Sequence, residues 1–299
     1  MIETAEGDRL DAKDACGFAE TCSALLILAK PGIVAAVTLS GFTGMVVAQR
    51  GLPQMETALP CSASLLLMTA GSAIVNNVLD RHLDEQMDRL APRSAALKRV
   101  GSGKVLATAV ALIFAAVALA SATLNLRVTL LLVAASLSYT LYYTLFLKRH
   151  THWAAVLGGL PGAFPVLIGH AAFQPHPGRA SLVLFLIMLI WQPPHFWLLA
   201  LLHRDEYRAA GVPVLPLIKG ERFTRKCIYL GVSCLLPASL LLHLAGICSA
   251  GYAAAATLLG CAYLFACHHF MVDNNRAAFR CSIAYLLLLF SMIVIDLTT

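Results

Sequence analysis

The residues of this chain best suited to chemistry lie between Asn76 and Arg93, in the run N-N-V-L-D-R-H-L-D-E-Q-M-D-R-L-A-P-R. Asn76, Asp80, Asp84 and Asp88 recur at every fourth position. On a helix that spacing draws them into one slowly drifting stripe. Glu85 falls off the stripe, and nothing basic stands at i+4 on it. Carboxylates about 6 Å apart repel by roughly 3 kcal/mol per pair at an effective dielectric of about 20. A hard divalent cation turns that repulsion into binding, and magnesium commonly shares one or two carboxylates with substrate phosphates. Arg81, Arg89 and Arg93 follow closely, and a guanidinium suits bidentate phosphate contacts. The run predicts a magnesium–diphosphate site with Asp80, Asp84 and Asp88 as metal ligands. The simpler alternative is a solvated, mixed-charge loop at a helix end.

Three further stretches carry polar groups in unusual places. Tyr142-Tyr143 leads to Lys148-Arg149-His150; taken alone, this reads as an interfacial anchor of aromatics followed by cations. Trp191-Gln192-Pro193-Pro194-His195-Phe196-Trp197 sits inside an apolar run. Polar groups and prolines are costly there, so function is the default reading. Asp205-Glu206-Tyr207 follows about one turn past that run, and Gly211-Val212-Pro213-Val214-Leu215-Pro216 forms a stiff apolar loop able to cap a pocket. His170, His176 and His243 fall at the opposite ends of their runs, away from these groups.

The elements that position these groups are membrane helices. Of 299 residues 59% are hydrophobic and 13% charged, with mean hydropathy +0.76, against about 25% charged in soluble domains. Nine apolar runs meet the spanning length of ~20 residues, near 25–48, 59–79, 104–123, 128–147, 152–173, 181–202, 227–247, 250–270 and 281–297. The expected fold is all-α: a polytopic helical bundle in a lipid bilayer, with residues 1–24 as a cytoplasmic tail and 25–299 as one transmembrane domain. Pro31 is expected to open the first membrane helix. Gly158, Gly159, Pro161, Gly162 and Pro165 are expected to kink the fifth. The nine cysteines show no C-x-x-C pair, so neither a disulfide framework nor a cysteine metal cluster is expected.

All but three of the 22 Lys and Arg fall on one side of such a bundle; Arg50, Arg127 and Arg179 are the exceptions. The excess of cations at loops puts the N-terminus and the charged loops in the cytoplasm; no nucleic-acid partner is expected. No acid is placed at mid-membrane, where ion-coupled transporters bury them. A transporter or lipid-binding membrane protein, the rival from another class, would show mid-membrane charges or an inverted repeat, and the sequence shows neither.

Together these stretches resemble the UbiA-type intramembrane prenyltransferases, over about residues 28 to 297. Lys30-Pro31-Gly32-Ile33 is similar to the family's opening motif. Asn76-Asn77-x-x-Asp80-x-x-x-Asp84 is similar to its first Asp-rich motif, and Tyr143 to His150 to its Tyr–Lys loop. Trp191-Gln-Pro-Pro-His195-Phe and Asp205-x-Tyr207-x-x-Ala210-Gly211-x-Pro213-x-Leu215-Pro216 resemble the haem-modifying branch. The resemblance implies transfer of the farnesyl group of farnesyl diphosphate to a vinyl group of haem b, giving haem O. It implies Mg²⁺ as cofactor, a bacterial inner-membrane location and a haem A synthase as a possible partner. It implies Asp80, Asp84, Lys148 and Asp205 as catalytic residues. Asn76, Asn77, Arg81, Arg89, Arg93, Tyr143, Arg149, His195 and Tyr207 are implied as substrate-binding. The chain departs from the family in two places. Arg89-Leu-Ala-Pro-Arg93-Ser stands where Arg-Thr-x-x-Arg-Pro is usual, and His195 and Leu202 stand where many relatives carry a second set of Asp. An aromatic quinone-precursor prenyltransferase is the rival within the family; it would share the first motif and carry the second Asp pair.

Overall fold

The computed structural model describes residues 17–299, and those residues fold as helices and connecting turns with no strand. Among them are nine helices long and apolar enough to cross a membrane. They are span 1 (Pro31–Gln49), span 2 (Met55–Leu79), span 3 (Ser102–Thr123), span 4 (Leu126–His150) and span 5 (Ala154–Ala171). Span 6 (Arg179–Leu202), span 7 (Glu221–Leu244), span 8 (Ala250–Phe270) and span 9 (Asn275–Thr298) complete the set. Each span packs against the next, and span 9 closes the ring against span 1.

Residues 1–16 of the expected tail lie outside the described residues. The rest of it is not a tail but the start of a helix, Phe18–Ala29. Leu28 is fully buried and Ala24 nearly so, packed with Ile74, Leu97 and Val105 of the second and third spans' neighbourhood. At 12 residues it is too short to cross a bilayer. Asn77 anchors it: its amide donates to the Leu28 carbonyl at 2.7 Å and to the Ala73 carbonyl at 2.9 Å.

Span 1 starts at Pro31, as the sequence predicts, after Lys30 in the left-handed region at φ 57°. Few non-glycine residues adopt that conformation; here it turns the chain sharply between two helices. Spans 1 and 5 meet backbone to backbone. A Cβ on Gly169 would lie 1.9 Å from the Gly41 carbonyl oxygen, and one on Gly44 2.2 Å from that of Val166. Small residues permit such contact where no hydrophobic force drives helices together within lipid. The fifth span is broken as expected: Ala154–Leu157 and Leu160–Ala171 are separate helices around Gly158-Gly159.

Two features were not legible in the hydropathy. Span 4 contains a π-helical stretch, Ser138–Leu147. Span 2 ends at Leu79, so Asp80 is its C-cap, followed by a four-residue helix Arg81–Asp84 and a 3-10 turn Asp88–Leu90. The continuous stripe from Asn76 to Asp88 is therefore corrected: the helix that would carry it stops after its first member.

Candidate active site

Asn76 occupies the last turn of span 2 and organises the buried polar groups around it. Its carbonyl oxygen accepts from Lys30 Nζ at 2.5 Å. Its amide donates to Asp80 Oδ2 at 2.9 Å and to Thr144 Oγ1 at 3.0 Å. Lys148 Nζ reaches the same Asp80 oxygen at 2.6 Å, and an Arg149 guanidinium nitrogen lies 3.4 Å from Oδ1. Arg149 also donates to the Leu79 carbonyl at 2.9 Å, at the C-terminal end of the span. Asp80 is 1% exposed, so its charge is affordable only because cations and an amide surround it.

The π-helical stretch delivers Lys148. Thr144 bonds back to the Tyr139 carbonyl, five residues earlier, at 2.8 Å, while accepting from Asn76. The wide turn thus holds span 4 against span 2 at the level of the carboxylates, and π-bulges are frequent at functional sites. Tyr139 and Tyr143 stack with centroids 6.2 Å apart. Tyr143 lies over Gly158, where a Cβ would fall 2.3 Å from its ring.

Asp84 differs from Asp80. It is buried, yet among the described residues its carboxylate makes no hydrogen bond or ion pair. Burial raises its pKa above the ordinary carboxylate value, the Lys148 charge opposes that and Asp80 adds to it. The same burial, with the Arg93 charge next in size, lowers the Lys30 ammonium to about 7, against the pull of Asp84 and Asp80. Burial also lowers the Arg93 pKa, and Asp84 is its largest opposing influence. Two carboxylates with opposite surroundings therefore share one cationic recess: Asp80 is neutralised, Asp84 is open.

Not every predicted residue joins this recess. Asp88 is exposed on its 3-10 turn. Among the described residues no group of three or more His, Cys, Asp or Glu could hold a metal, so the proposed Asp triad reduces to a pair. Arg81 is exposed and donates to the His82 ring at 3.2 Å. Asn77 points away, to Leu28. Asp205 is 84% exposed and paired with Arg208 at 2.5 Å, because its helix, Arg204–Ala209, turns it outward. Its neighbour Glu206 faces inward instead, 3.2 Å from Arg89 and 2.8 Å from His203. Arg89 in turn lies 5.1 Å over the buried Tyr207 ring. This network ties the Arg89–Arg93 segment to the loop after span 6.

Sequence reasoning placed neither Lys30 nor Glu206 in the site. A lysine beside Pro-Gly at the head of an apolar run was a signal for the first. Nothing in the Asp-Glu pair told which acid turns inward. Accordingly, Asp205→Asn is expected to leave turnover within about threefold of wild type, below the ~0.7 kcal/mol that such a factor represents, whereas Glu206→Gln should loosen Arg89. Initial rates of the two variants, measured side by side, check the assignment.

His195 lies deeper in span 6, outside the ionic cluster. Its ring stacks between Trp191, at 4.4 Å, and Phe279, at 4.7 Å. Nδ1 is 2.7 Å from Ser282 Oγ, and the Trp191 indole donates to the Ser282 carbonyl at 2.8 Å. Spans 6 and 9 are clamped together there, with the histidine held in one orientation. Of the four arginines in the loop after span 6 and the start of span 7, Arg204 and Arg225 share Glu221, Arg208 holds Asp205, and Arg222 has no ion pair among the described residues.

Known proteins resemble this chain in both sequence and fold. A model described as the UbiA prenyltransferase family matches residues 37–292. A protoheme IX farnesyltransferase of Geotalea uraniireducens (strain Rf4) is 48% identical over 255 residues, covering 85% of this chain and 98% of the relative. One of Aquifex aeolicus (strain VF5) is 33% identical over 275 residues, covering 91% and 94%. A solved structure described as digeranylgeranylglyceryl phosphate synthase superimposes with TM-score 0.74 at 14% identity, covering 93% of this chain and 99% of that one. A UbiA homolog from Archaeoglobus fulgidus bound to GPP and Mg²⁺ gives 0.71 at 14% identity, covering 92% and 99%. The polar cluster at one end of an apolar nine-span ring and the match across 37–292 lead to one conclusion: the chain belongs to the UbiA prenyltransferase family, as an integral membrane prenyltransferase.

Proposed function

We propose that the chain transfers the farnesyl group of farnesyl diphosphate to a vinyl group of haem b, giving haem O. The observation that carries the donor half is the open, buried Asp84 carboxylate beside Asp80, Lys30, Lys148 and Arg93. The residues fit a magnesium ion. Their free donor is a hard carboxylate oxygen, and a pair of carboxylates leaves coordination positions for diphosphate oxygens and water. Asp84, with Asp80 behind it, would hold the metal, which would supply Lewis-acid stabilisation of the departing diphosphate. The UbiA homolog bound to GPP and Mg²⁺ supports that pairing by analogy.

The chain's own groups do the rest. Lys148, Arg149, Lys30 and Arg93 offer preorganised positive charge where the diphosphate's charge develops. Asn76 fixes Lys30 and Asp80 relative to each other. The bond from farnesyl C1 to the bridging oxygen breaks, and the electron pair leaves with diphosphate. The vinyl π pair of haem b forms the new bond to C1. Water adds to the resulting cation and loses a proton, which yields the hydroxyethylfarnesyl side chain. The apolar ring excludes other water from the allylic cation.

The acceptor half rests on the relatives named protoheme IX farnesyltransferase and on His195. An imidazole locked between two aromatic rings by Ser282 presents its remaining nitrogen to a flat substrate or its iron. His195→Ala is expected to weaken haem b at least about tenfold, or 1.4 kcal/mol, and to leave the KM for farnesyl diphosphate nearly unchanged. His195→Phe, which keeps the stack and removes the nitrogens, separates packing from recognition. Haem titration of both variants in detergent would assign His195 to the donor side if only farnesyl diphosphate binding fell.

On this reading the Asp80 end faces the cytoplasm of a bacterial inner membrane, following the cation bias, and the product passes to a haem A synthase. Membranes carrying the protein, given haem b, farnesyl diphosphate and Mg²⁺, should form haem O. Prenylation of a hydroxybenzoate or naphthoate with haem b untouched would replace the acceptor.

A further inference from the structure

Span 1 has Lys30 before its first residue and Arg50 after its last, so the two lie about 30 Å apart along a rise of 1.5 Å per residue. A second polar recess opens at the Arg50 end. Its volume is about 400 Å³, and it is lined by Arg50, His170, Gln174, His176, Gly178 and Arg179. That is within the usual 300–1,000 Å³ of small-molecule sites. None of these groups takes part in the chemistry above, and two of them are among the three cations that stand apart from the cytoplasmic loops.

Four observations assign a ligand class. The Arg50 and Arg179 guanidiniums make no ion pair or hydrogen bond among the described residues. Asp296 of span 9, an acid at the same end of the bundle, is engaged by the Ser249 amide at 2.9 Å and by its hydroxyl. His170 is 5% exposed, yet neither ring nitrogen has a hydrogen-bond partner among the described residues. Its Nε2 faces the chain where span 6 begins: a Cβ on Gly178 would lie 3.2 Å away. Gly178 is the N-cap of span 6 and provides no side-chain cap. The first-turn amides of a 24-residue helix thus open toward a buried, unpartnered imidazole and two unpaired guanidiniums. Amides and dipole at a helix N-terminus favour an anion. Arg179 in that first turn is itself unfavourable without one.

We propose that this recess binds a phosphate group, supplied by the headgroup of an anionic phospholipid in the leaflet opposite the Asp80 end. Val47, Ala245 and Ile247 also line it and give the glycerol and upper acyl carbons an apolar seat. A bound headgroup would join spans 1, 5 and 6 at the end remote from catalysis.

Native mass spectrometry of the full chain in detergent, titrated with phosphatidylglycerol or phosphatidylcholine, reads the site. The wild type should retain the anionic lipid about tenfold better, a difference of about 1.4 kcal/mol. Arg50→Gln/Arg179→Gln should lose most of that preference while farnesyl transfer stays at the wild-type rate. Arg127→Gln, which removes the third outer cation but lies outside the recess, should keep it. Gly178→Ala, whose Cβ crowds His170 with charge unchanged, should also weaken binding. Inorganic phosphate is the second probe. Displacement of phosphatidylglycerol by phosphate would support the recess as a phosphate site open to soluble anions; retention against phosphate would support the lipid as occupant. Undiminished preference in the double variant, or an equal loss in Arg127→Gln, overturns the proposal.

Discussion

Asp84→Asn is expected to lower turnover at least tenfold, about 1.4 kcal/mol of barrier, and to abolish saturation by Mg²⁺. Asn keeps the shape and removes the charge. Asp84 is the carboxylate that no protein cation neutralises directly, so it is the one left to a metal. Asp80→Asn should also exceed tenfold, for a different reason: it would leave Lys148 and Arg149 without their anion and shift both. The two variants should therefore differ in metal dependence as well as rate. Since burial raises the Asp84 pKa, protons compete with metal above the ordinary carboxylate range. The Mg²⁺ concentration for half-maximal rate should climb as pH falls through that raised value, and the Asp84→Asn residual rate should not follow it. Full activity of both variants at saturating Mg²⁺ and substrate would remove the site.

Lys148→Ala is the second large effect. The ammonium lies 2.6 Å from Asp80 and 15% exposed, at the point where a diphosphate would meet the carboxylates. Loss of one charge-assisted contact to phosphate, at roughly 1.5–3 kcal/mol, predicts a KM for farnesyl diphosphate raised about tenfold or more. Haem b affinity should hardly move, because His195 lies about two turns inside the end of span 6 and belongs to a different set of contacts. Lys148→Arg should recover part of the loss. Equilibrium binding of each substrate separates the cases; a fall in haem affinity alone would mean that Lys148 serves the acceptor.

How much of this was legible in the sequence depended on the range of the signal. Hydropathy placed all nine spans to within several residues, because each span's burial in lipid is a property of its own composition. Pro31 and the Gly158-Gly159 break were local backbone chemistry and were read correctly. The i, i+4 spacing correctly paired Asn76 with Asp80 but extended the helix too far. The chain turns at Asp80 because the short helix and 3-10 turn that follow pack Asp84, Met87 and Leu90 inward, which is a tertiary preference. Asp205 against Glu206 was undecidable from adjacent acids, since Arg89 selects the inward one across a long sequence separation. Lys30 became a site residue only through Asn76, 46 positions away.

The π-helical stretch of span 4 has a consequence for chains related by insertion and deletion. Bonding five residues back spends one more residue per turn than bonding four back, so Ser138–Leu147 holds surplus chain. Removing one residue there would let the segment relax to a regular helix of nearly the same length and hydropathy. The wide turn absorbs the extra residue, so Lys148 would keep nearly its phase, but Thr144 would lose its bond to the Tyr139 carbonyl five residues back and its seat beside Asn76. A single-codon gap in this stretch would mark a sequence that still inserts as nine spans but has lost the wide turn that seats Thr144 against Asn76, a distinction invisible to any hydropathy profile.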